Sequence, residues 1–198
     1  MRKIIIILLS VSVPAFVSAQ DFNKHLADAK SSYAAGKLED SRFAMEQMMQ
    51  ELDITIGKEV LKILPAKLET LNANSASDNV AGTQGFMGVI IHREYGAAGK
   101  KADIDMITNS PLIASINTIL SIPFVGNSSD GSQKRVKIEG YKGLLQKNVN
   151  PQTNKTSYEL QMPFSSTLLT FKVDDADEAQ VMKLAGLIPI SQIAKMLQ

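Results

Sequence analysis

Residues 156–173, Thr156-Ser157-Tyr158-Glu159-Leu160-Gln161-Met162-Pro163-Phe164-Ser165-Ser166-Thr167-Leu168-Leu169-Thr170-Phe171-Lys172-Val173, decide the fold class. Tyr158, Leu160, Met162 and Phe164 alternate with Glu159, Gln161 and Pro163, which puts the larger apolar set on one face of a strand. A reversal at Ser165-Ser166 sets Met162 opposite Leu169, Leu160 opposite Phe171 and Tyr158 opposite Val173, so that two strands share one inward face. Upstream, Tyr141 to Val149 forms a hairpin with 156–164 around Asn150-Pro151-Gln152-Thr153-Asn154 and brings Leu145 to Leu160. Before it, Val136 and Ile138 alternate with Lys137 and Glu139 and begin another strand. The pattern is that of an antiparallel meander.

The elements flanking this meander follow from period and punctuation. Phe86 to Tyr95 and Lys101 to Thr108 form a hairpin around Gly96-Ala97-Ala98-Gly99. A four-residue turn there pairs Ile91 with Ile104 and Val89 with Met106 inward, and Glu94 with Lys101 and His92 with Asp103 outward. Ser110-Pro111 reads as an N-cap followed by proline at the first helical position, leading a short helix with Leu112, Ile113, Ile116, Ile119 and Leu120 that stops before Pro123. At the C-terminus, Asp175 and Glu178 have capping-box spacing. Val181, Leu184, Ala185 and Ile188 then give a helical stripe, and beyond Gly186 and Pro189 the residues Ile190, Ile193, Ala194 and Leu197 give another.

Near the N-terminus, Phe22, Leu26, Ala29 and Tyr33 follow a helical period that ends at Gly36, a left-handed stop. A second period runs through Leu38, Met45, Met48, Leu52, Ile56 and Val60 to Pro65, with Ile54-Thr55-Ile56-Gly57 as its weak point. Residues 69–85 lack an apolar period and are rich in Asn, Ser, Asp and Gly, so they read as a linker. The expectation is an α+β chain: an antiparallel sheet of about five to six strands packed by helices and preceded by an α-helical hairpin. Its divisions are a signal peptide at 1–19, the hairpin at 20–68, the linker at 69–85 and the sheet with its helices at 86–198.

Arg2 and Lys3, the apolar run Ile4 to Val17 and the small residues Val17-Ser18-Ala19 before Gln20 predict a secretory signal cleaved after Ala19. The chain is therefore expected to be exported, periplasmic or secreted, with the membrane involved only through that signal. With 21 Lys+Arg against 20 Asp+Glu, of which the signal holds two bases and no acid, the exported part is close to neutral and lacks a global attraction for nucleic acid or anionic lipid. Zero cysteine excludes disulfides, thiolate catalysis and Cys-ligated zinc. At 198 residues including the signal, one core is expected.

Ile63-Leu64-Pro65, the glycine-rich stretch Gly82 to Gly88, Ser110-Pro111-Leu112 and Gly140-Tyr141-Lys142 occur in an order that resembles a group of uncharacterised secreted bacterial proteins. The resemblance spans most of the exported chain and implies an α+β sheet fold and the bacterial envelope, with no activity attached. Tyr33-Ala34-Ala35-Gly36-Lys37-Leu38-Glu39-Asp40 resembles the turn of a tetratricopeptide repeat. No second copy follows at the spacing such an array needs, so the segment is read as a generic helical hairpin.

Candidate chemistry is sparse. His25 and His92 are the only histidines; His92 with Asp103 and Asp105 can present an imidazole and two carboxylates on one sheet face, and a solvated cross-strand pair is the favoured reading. Met45, Met48 and Met49 carry thioethers suited to Cu(I), but their helical spacing favours core packing. Gly82, Gly85 and Gly88 lack the spacing and the following helix of a phosphate loop. Ser165 and Ser166 lack a nucleophile elbow. The sequon-like Asn127-Ser128-Ser129 and Asn154-Lys155-Thr156 read as polar loops. Lys134, Arg135, Lys137, Lys142 and Lys147 form the densest basic stretch, with Tyr141 as its only aromatic, and read as a solvated strand face rather than a nucleic-acid platform.

No catalytic, cofactor-binding or metal residues are assigned on these grounds. The expected function is a non-enzymatic binding or interaction module of the envelope, whose partner is another envelope protein. The alternative is a periplasmic carrier of an apolar small molecule or lipid, and a hydrolase assembled from distant residues is a weaker third class. An apolar pocket between sheet and helices favours the carrier; an exposed apolar patch on the Met-bearing helix favours a protein partner.

Overall fold

The computed structural model describes residues 17–83, 88–97, 99–122, 128 and 131–197. The signal segment up to residue 16, Gly85, Phe86, Ala98, Pro123 and Asn127 lie outside the described residues. The chain divides into two compact units, Met1–Glu51 and Leu52–Gln198.

In the first unit, helix α1 spans Val17–Ala34 and is followed by the start of α2, Leu38–Ile63. The expected left-handed stop is present, with Gly36 at φ 72°. Small side chains meet where the helices adjoin: Ala29 and Ala44 are buried, and the Ser41 hydroxyl donates to the Ala29 carbonyl at 2.9 Å. Asp40 and Glu39 occupy the first turn of α2, where they favour the positive end of the helix dipole.

The second unit is built on an eight-stranded antiparallel sheet: β1 (Lys67–Leu68), β2 (Leu71–Gly82), β3 (Val89–Ala97), β4 (Lys100–Thr108), β5 (Gln133–Ile138), β6 (Tyr141–Val149), β7 (Thr156–Phe164) and β8 (Thr167–Asp174). Their spatial order is β1-β2-β3-β4-β8-β7-β6-β5. The α+β class is thus observed, with more strands than the five to six expected. The additional two come from the end of the expected hairpin and from the expected linker. Residues 71–82 pair with β3, from Gly82 opposite Val89 to Ala73 opposite Tyr95, with an irregularity between Asn74 and Asn79. Cross-strand hydrogen bonding makes a strand of a segment whose Asn, Ser and Asp side chains argue against one.

The end of α2 belongs to the sheet unit, which moves the boundary from residue 68 to between Glu51 and Leu52. Val60, Leu64, Leu68 and Leu71 join one buried cluster with Ile91, Tyr95, Ile104, Met106, Leu160, Phe171, Val181, Leu184 and Ile193, among others. Helix α2 does not split at Ile54-Thr55-Ile56-Gly57. Gly57 accommodates close packing there: a Cβ at that position would sit 2.7 Å from Cγ1 of Val80 and 3.2 Å from Cγ1 of Ile91.

The meander has the expected register. Leu145 faces Leu160; Leu160 faces Phe171, Met162 faces Leu169, and Tyr158 faces Val173. The first hairpin does not. Ile91 faces Met106, His92 faces Asp105, Arg93 faces Ile104 and Glu94 faces Asp103. Ala97 pairs with Lys100, so two residues rather than four make the turn and the register moves by two. An even shift keeps every side chain on its expected face, and Ile91 and Ile104 are both fully buried.

Opposite the main core, α3 (Ile113–Ser121) buries Ile116 and Leu120 with Leu144 and Leu168. It begins after Leu112, which is exposed, and has no side-chain cap; the Ser110 hydroxyl accepts only a long 3.4 Å bond from the Leu112 amide. At α4 (Glu178–Ala185) the cap is Asp177, whose carboxylate accepts from the Gln180 amide at 2.8 Å. Asp175, the expected cap, instead has φ 53° at the turn out of β8. The inward stripe of α4 and of α5 (Ile190–Met196) is as expected, with Val181, Leu184, Ala185, Ile188, Ile190, Ile193 and Ala194 buried.

Candidate functional site

Two surfaces carry the residues singled out by the sequence. The first is the sheet face away from the main core, where strand alternation collects polar side chains from β3, β4, β8 and β7. Crossing the sheet, Glu94, Asp103, Lys172 and Glu159 form one row. His92, Asp105, Thr170 and Gln161 form the next. His92 Nδ1 lies 2.7 Å from Asp105 Oδ1. His92 Nε2 is 3.9 Å from Glu94 Oε1, and Glu94 Oε2 is 3.6 Å from Lys101 Nζ. His92 therefore partners Asp105 rather than Asp103, a consequence of the shorter turn.

Asp103 faces Glu94 across the strand pair, and its Oδ1 is buried without a hydrogen-bond partner. Loss of water raises the Asp103 carboxyl above its ordinary value, and the neighbouring Glu94 charge raises it further. The native state then holds this proton more tightly than the unfolded chain does, so the contribution of Asp103 to stability falls as pH rises from the ordinary carboxylate value through the raised one. Asp103→Asn removes that fall. Relative to the parent, the variant is expected to gain stability between about pH 3 and about pH 7, by about 0.5 kcal/mol or less because the site is partly solvated. Urea midpoints at the two pH values check this; a parent–variant difference that does not change with pH would contradict the burial of Asp103.

Chemically, Asp105 and His92 form a carboxylate–imidazole couple. It stands on the sheet face that also carries α3, and the side chain following Asp105 in its row is Thr170. Among the described residues, no group of three or more His, Asp or Glu is arranged to hold a metal ion.

The second surface is on the hairpin. The expected core position of the Met-bearing helix is corrected: Met45 is 45 % and Met49 53 % exposed, alongside Leu38 at 63 %, Phe43 at 64 % and Tyr33 at 68 %. Met48 is half-buried. At 100° per residue Met45 and Met49 share a side of α2 with Leu38, while Met48 lies about 60° round from Met45 toward buried Ser41 and Ala44.

The other singled-out residues have local structural roles. Gly88 donates its amide to the Thr108 carbonyl at 3.0 Å, and Gly82 ends β2, so neither belongs to a phosphate loop. Ser165, at φ 49°, and Ser166 connect β7 to β8. Asn154, at φ 52°, closes a turn in which Asn150 Oδ1 accepts from the amides of Gln152 and Thr153 at 2.9 and 3.1 Å. Lys134 binds Glu178 at 2.7 Å, and Lys137 faces Lys142 across the outermost strand pair.

Sequence reasoning passed over Arg93 and Asp78. Arg93 occupies an inward position between Ile91 and Tyr95 and is buried. Asp78, in the irregular part of β2, receives Nε of Arg93 at 2.8 Å and a terminal guanidinium nitrogen at 2.5 Å; the other terminal nitrogen donates to the Leu64 carbonyl at 3.2 Å. Tyr95 donates its hydroxyl to the Pro65 carbonyl at 2.9 Å. An arginine at an inward strand position was the available signal, because such a charge requires a buried partner.

Two grooves of about 430 and 390 Å³ lie near the β3–β4 turn, the first lined by Thr70, Leu71, Asn72, Gly96 and Lys100 among others, the second including Lys101, Asn150, Lys155, Lys172 and Asp174. Neither lies between the sheet and the helices of its main core. Among the described residues, no helix is long and apolar enough to cross a membrane. Comparison of the chain with protein-family models, with curated proteins and with solved structures finds no match.

Proposed function

We propose that this chain is a non-catalytic interaction module of the bacterial envelope, which uses its helical hairpin to bind another envelope protein. The observation that carries the reading is the exposure of Leu38, Phe43, Met45 and Met49 within a short length of α2, together with Tyr33 at the end of α1. Scattered exposed apolar residues are ordinary, but several large ones on one hairpin are a feature of binding surfaces. Methionine suits such a surface because its unbranched, polarizable side chain adapts to a partner. Export rests on the N-terminal sequence pattern alone. The carrier alternative gains no support from the described grooves, whose linings are rich in lysine, asparagine and hydroxyl groups.

A photo-crosslinking amino acid at Met49 tests the reading in the native envelope. A discrete adduct is expected there and not at Lys147, and it should disappear when Met45 is changed to Asp. The Met45→Asp change should alter unfolding free energy by no more than about 0.5 kcal/mol, as for other exposed positions. A destabilisation beyond about 2 kcal/mol would show that the stripe is part of the protein's own core. An adduct indifferent to Met45→Asp would place the contact elsewhere.

A further inference from the structure

We infer that the corner of the sheet where β5 and β6 meet the end of α3 docks on an anionic phospholipid bilayer. The whole chain is nearly neutral, with 21 bases against 20 acids, but strand alternation divides its densest basic stretch between two faces. Lys134 pairs with Leu145 and Lys147 with Tyr158, both part of the main core, so these two bases stand on the core side. Arg135 pairs with Leu144, which packs with α3, and two residues along each strand Lys137 pairs with Lys142. Arg135, Lys137 and Lys142 therefore share the face that carries α3, and both lysines are exposed.

Two observations point to an anion outside the molecule. Lys137 and Lys142 are direct cross-strand partners, an arrangement in which like charges repel. Edge protection accounts for a charge on β5, but not for its like-charged partner on β6, which is an interior strand. The second observation is that no acid of the protein answers this pair. Lys134 has Glu178, whereas among the described residues neither Lys137 nor Lys142 has a carboxylate partner. Glu139, in the turn between the two strands, accepts from the Ser191 amide of α5 at 2.8 Å. Glu159, on the same sheet face, lies opposite Gln146, four residues along β6 from Lys142. That spacing is about 13 Å, beyond the screening length of about 10 Å.

Apolar exposure favours a bilayer over a soluble anion. Arg135 donates to the carbonyl of Ile122, which fixes the end of α3 beside the bases, and the Ile122 side chain is 43 % exposed. An apolar side chain next to bases suits a membrane interface, where it enters the acyl boundary while the cations meet phosphates. Each base close to such a surface strengthens partitioning about fivefold, so three give about a hundredfold, enough for reversible peripheral attachment. The corner belongs to the sheet unit and involves no residue of the hairpin.

Co-sedimentation with vesicles tests the inference on the chain from Gln20, because the apolar run Ile4 to Val17 would enter any vesicle by itself. Binding to phosphatidylglycerol is expected to be at least about tenfold tighter than to phosphatidylcholine, and about 0.5 M added salt should remove most of the difference. Lys137→Gln/Lys142→Gln should weaken binding to phosphatidylglycerol at least about tenfold. Lys30→Gln/Lys37→Gln, an equal change of charge on the hairpin, should alter it by about twofold or less. Ile122→Ser should weaken it about threefold or more. Circular dichroism melts establish that each variant is folded. Equal binding to the two lipids, equal losses in the two lysine variants, or indifference to Ile122→Ser overturns the inference. So does tighter binding to a polyglutamate peptide or a DNA duplex than to the vesicles, which would assign the corner to an acidic protein or to nucleic acid. Crosslinking from Met49 is read separately, so the interaction-module reading stands or falls apart from this one.

Discussion

A chain beginning at residue 86, where sequence pattern alone starts the sheet domain, is expected to show no cooperative thermal unfolding. That truncation removes β1 and β2 and leaves β3 without one of its two neighbours. It also removes Val60, Leu64, Leu68 and Leu71, all buried in the main core. Each fully buried aliphatic side chain is worth about 1.5–3 kcal/mol. Losing four of them is comparable with the whole stability of a domain, about 5–15 kcal/mol. A chain beginning at Leu52 keeps every one of these contacts and is expected to retain a single transition. Circular dichroism melts of the two fragments check this. A sharp transition near that of the full chain in the shorter fragment would show that β2 and the end of α2 are accessories to the core.

Asp78→Ala is expected to destabilise the sheet unit by about 3–5 kcal/mol, the usual cost of breaking a buried ion pair from one side. The substitution leaves the buried Arg93 guanidinium without the Asp78 carboxylate, beside the Leu64 carbonyl and the Tyr95 side chain. Hydrogen bonding to Asp78 is the largest effect holding Arg93 in its charged form, against the opposing effect of burial. Arg93→Met in the Asp78→Ala background removes the orphaned charge and restores apolar contact beside Ile104. Stability should return to within about 1–2 kcal/mol of the parent, because well-packed apolar replacements of buried pairs are close to neutral. Urea denaturation of the single and double variants measures both steps. A single variant within about 0.5 kcal/mol of the parent would show that water reaches Arg93.

How much of this was legible depends on what kind of information each segment carries. The meander from β6 to β8 was readable because alternation fixed the faces and the turns at Asn150 to Asn154 and Ser165-Ser166 fixed the register. At Gly96-Ala97-Ala98-Gly99, loops of two or four residues put identical side chains inward, so the pattern could not distinguish them and the pairing of His92 was misplaced. The strand at 71–82 was illegible for a different reason: its residues favour turns, and only hydrogen bonding to β3 holds them extended. On the hairpin, a helical period revealed that Leu38 and Met45 align but not whether anything covers them. Periodicity reports a face, and exposure is a property of the assembled molecule. The Arg93–Asp78 pair combines both difficulties, since the arginine stood in plain alternation while its partner lay within the apparent linker.

An open sheet of eight strands has two outer edges, and each is a template on which another extended chain could add. β1 pairs only with Leu71 and Asn72, so most of β2 forms one edge; β5 forms the other. On β2 the irregularity between Asn74 and Asn79 interrupts the straight ladder that a recruit would need. On β5 the side chains of Lys134, Arg135 and Lys137 crowd a strand of six residues with positive charge. The segment that looks least like a strand and the most basic stretch of the chain thus share a consequence: both disfavour addition of a further strand at the edge they occupy.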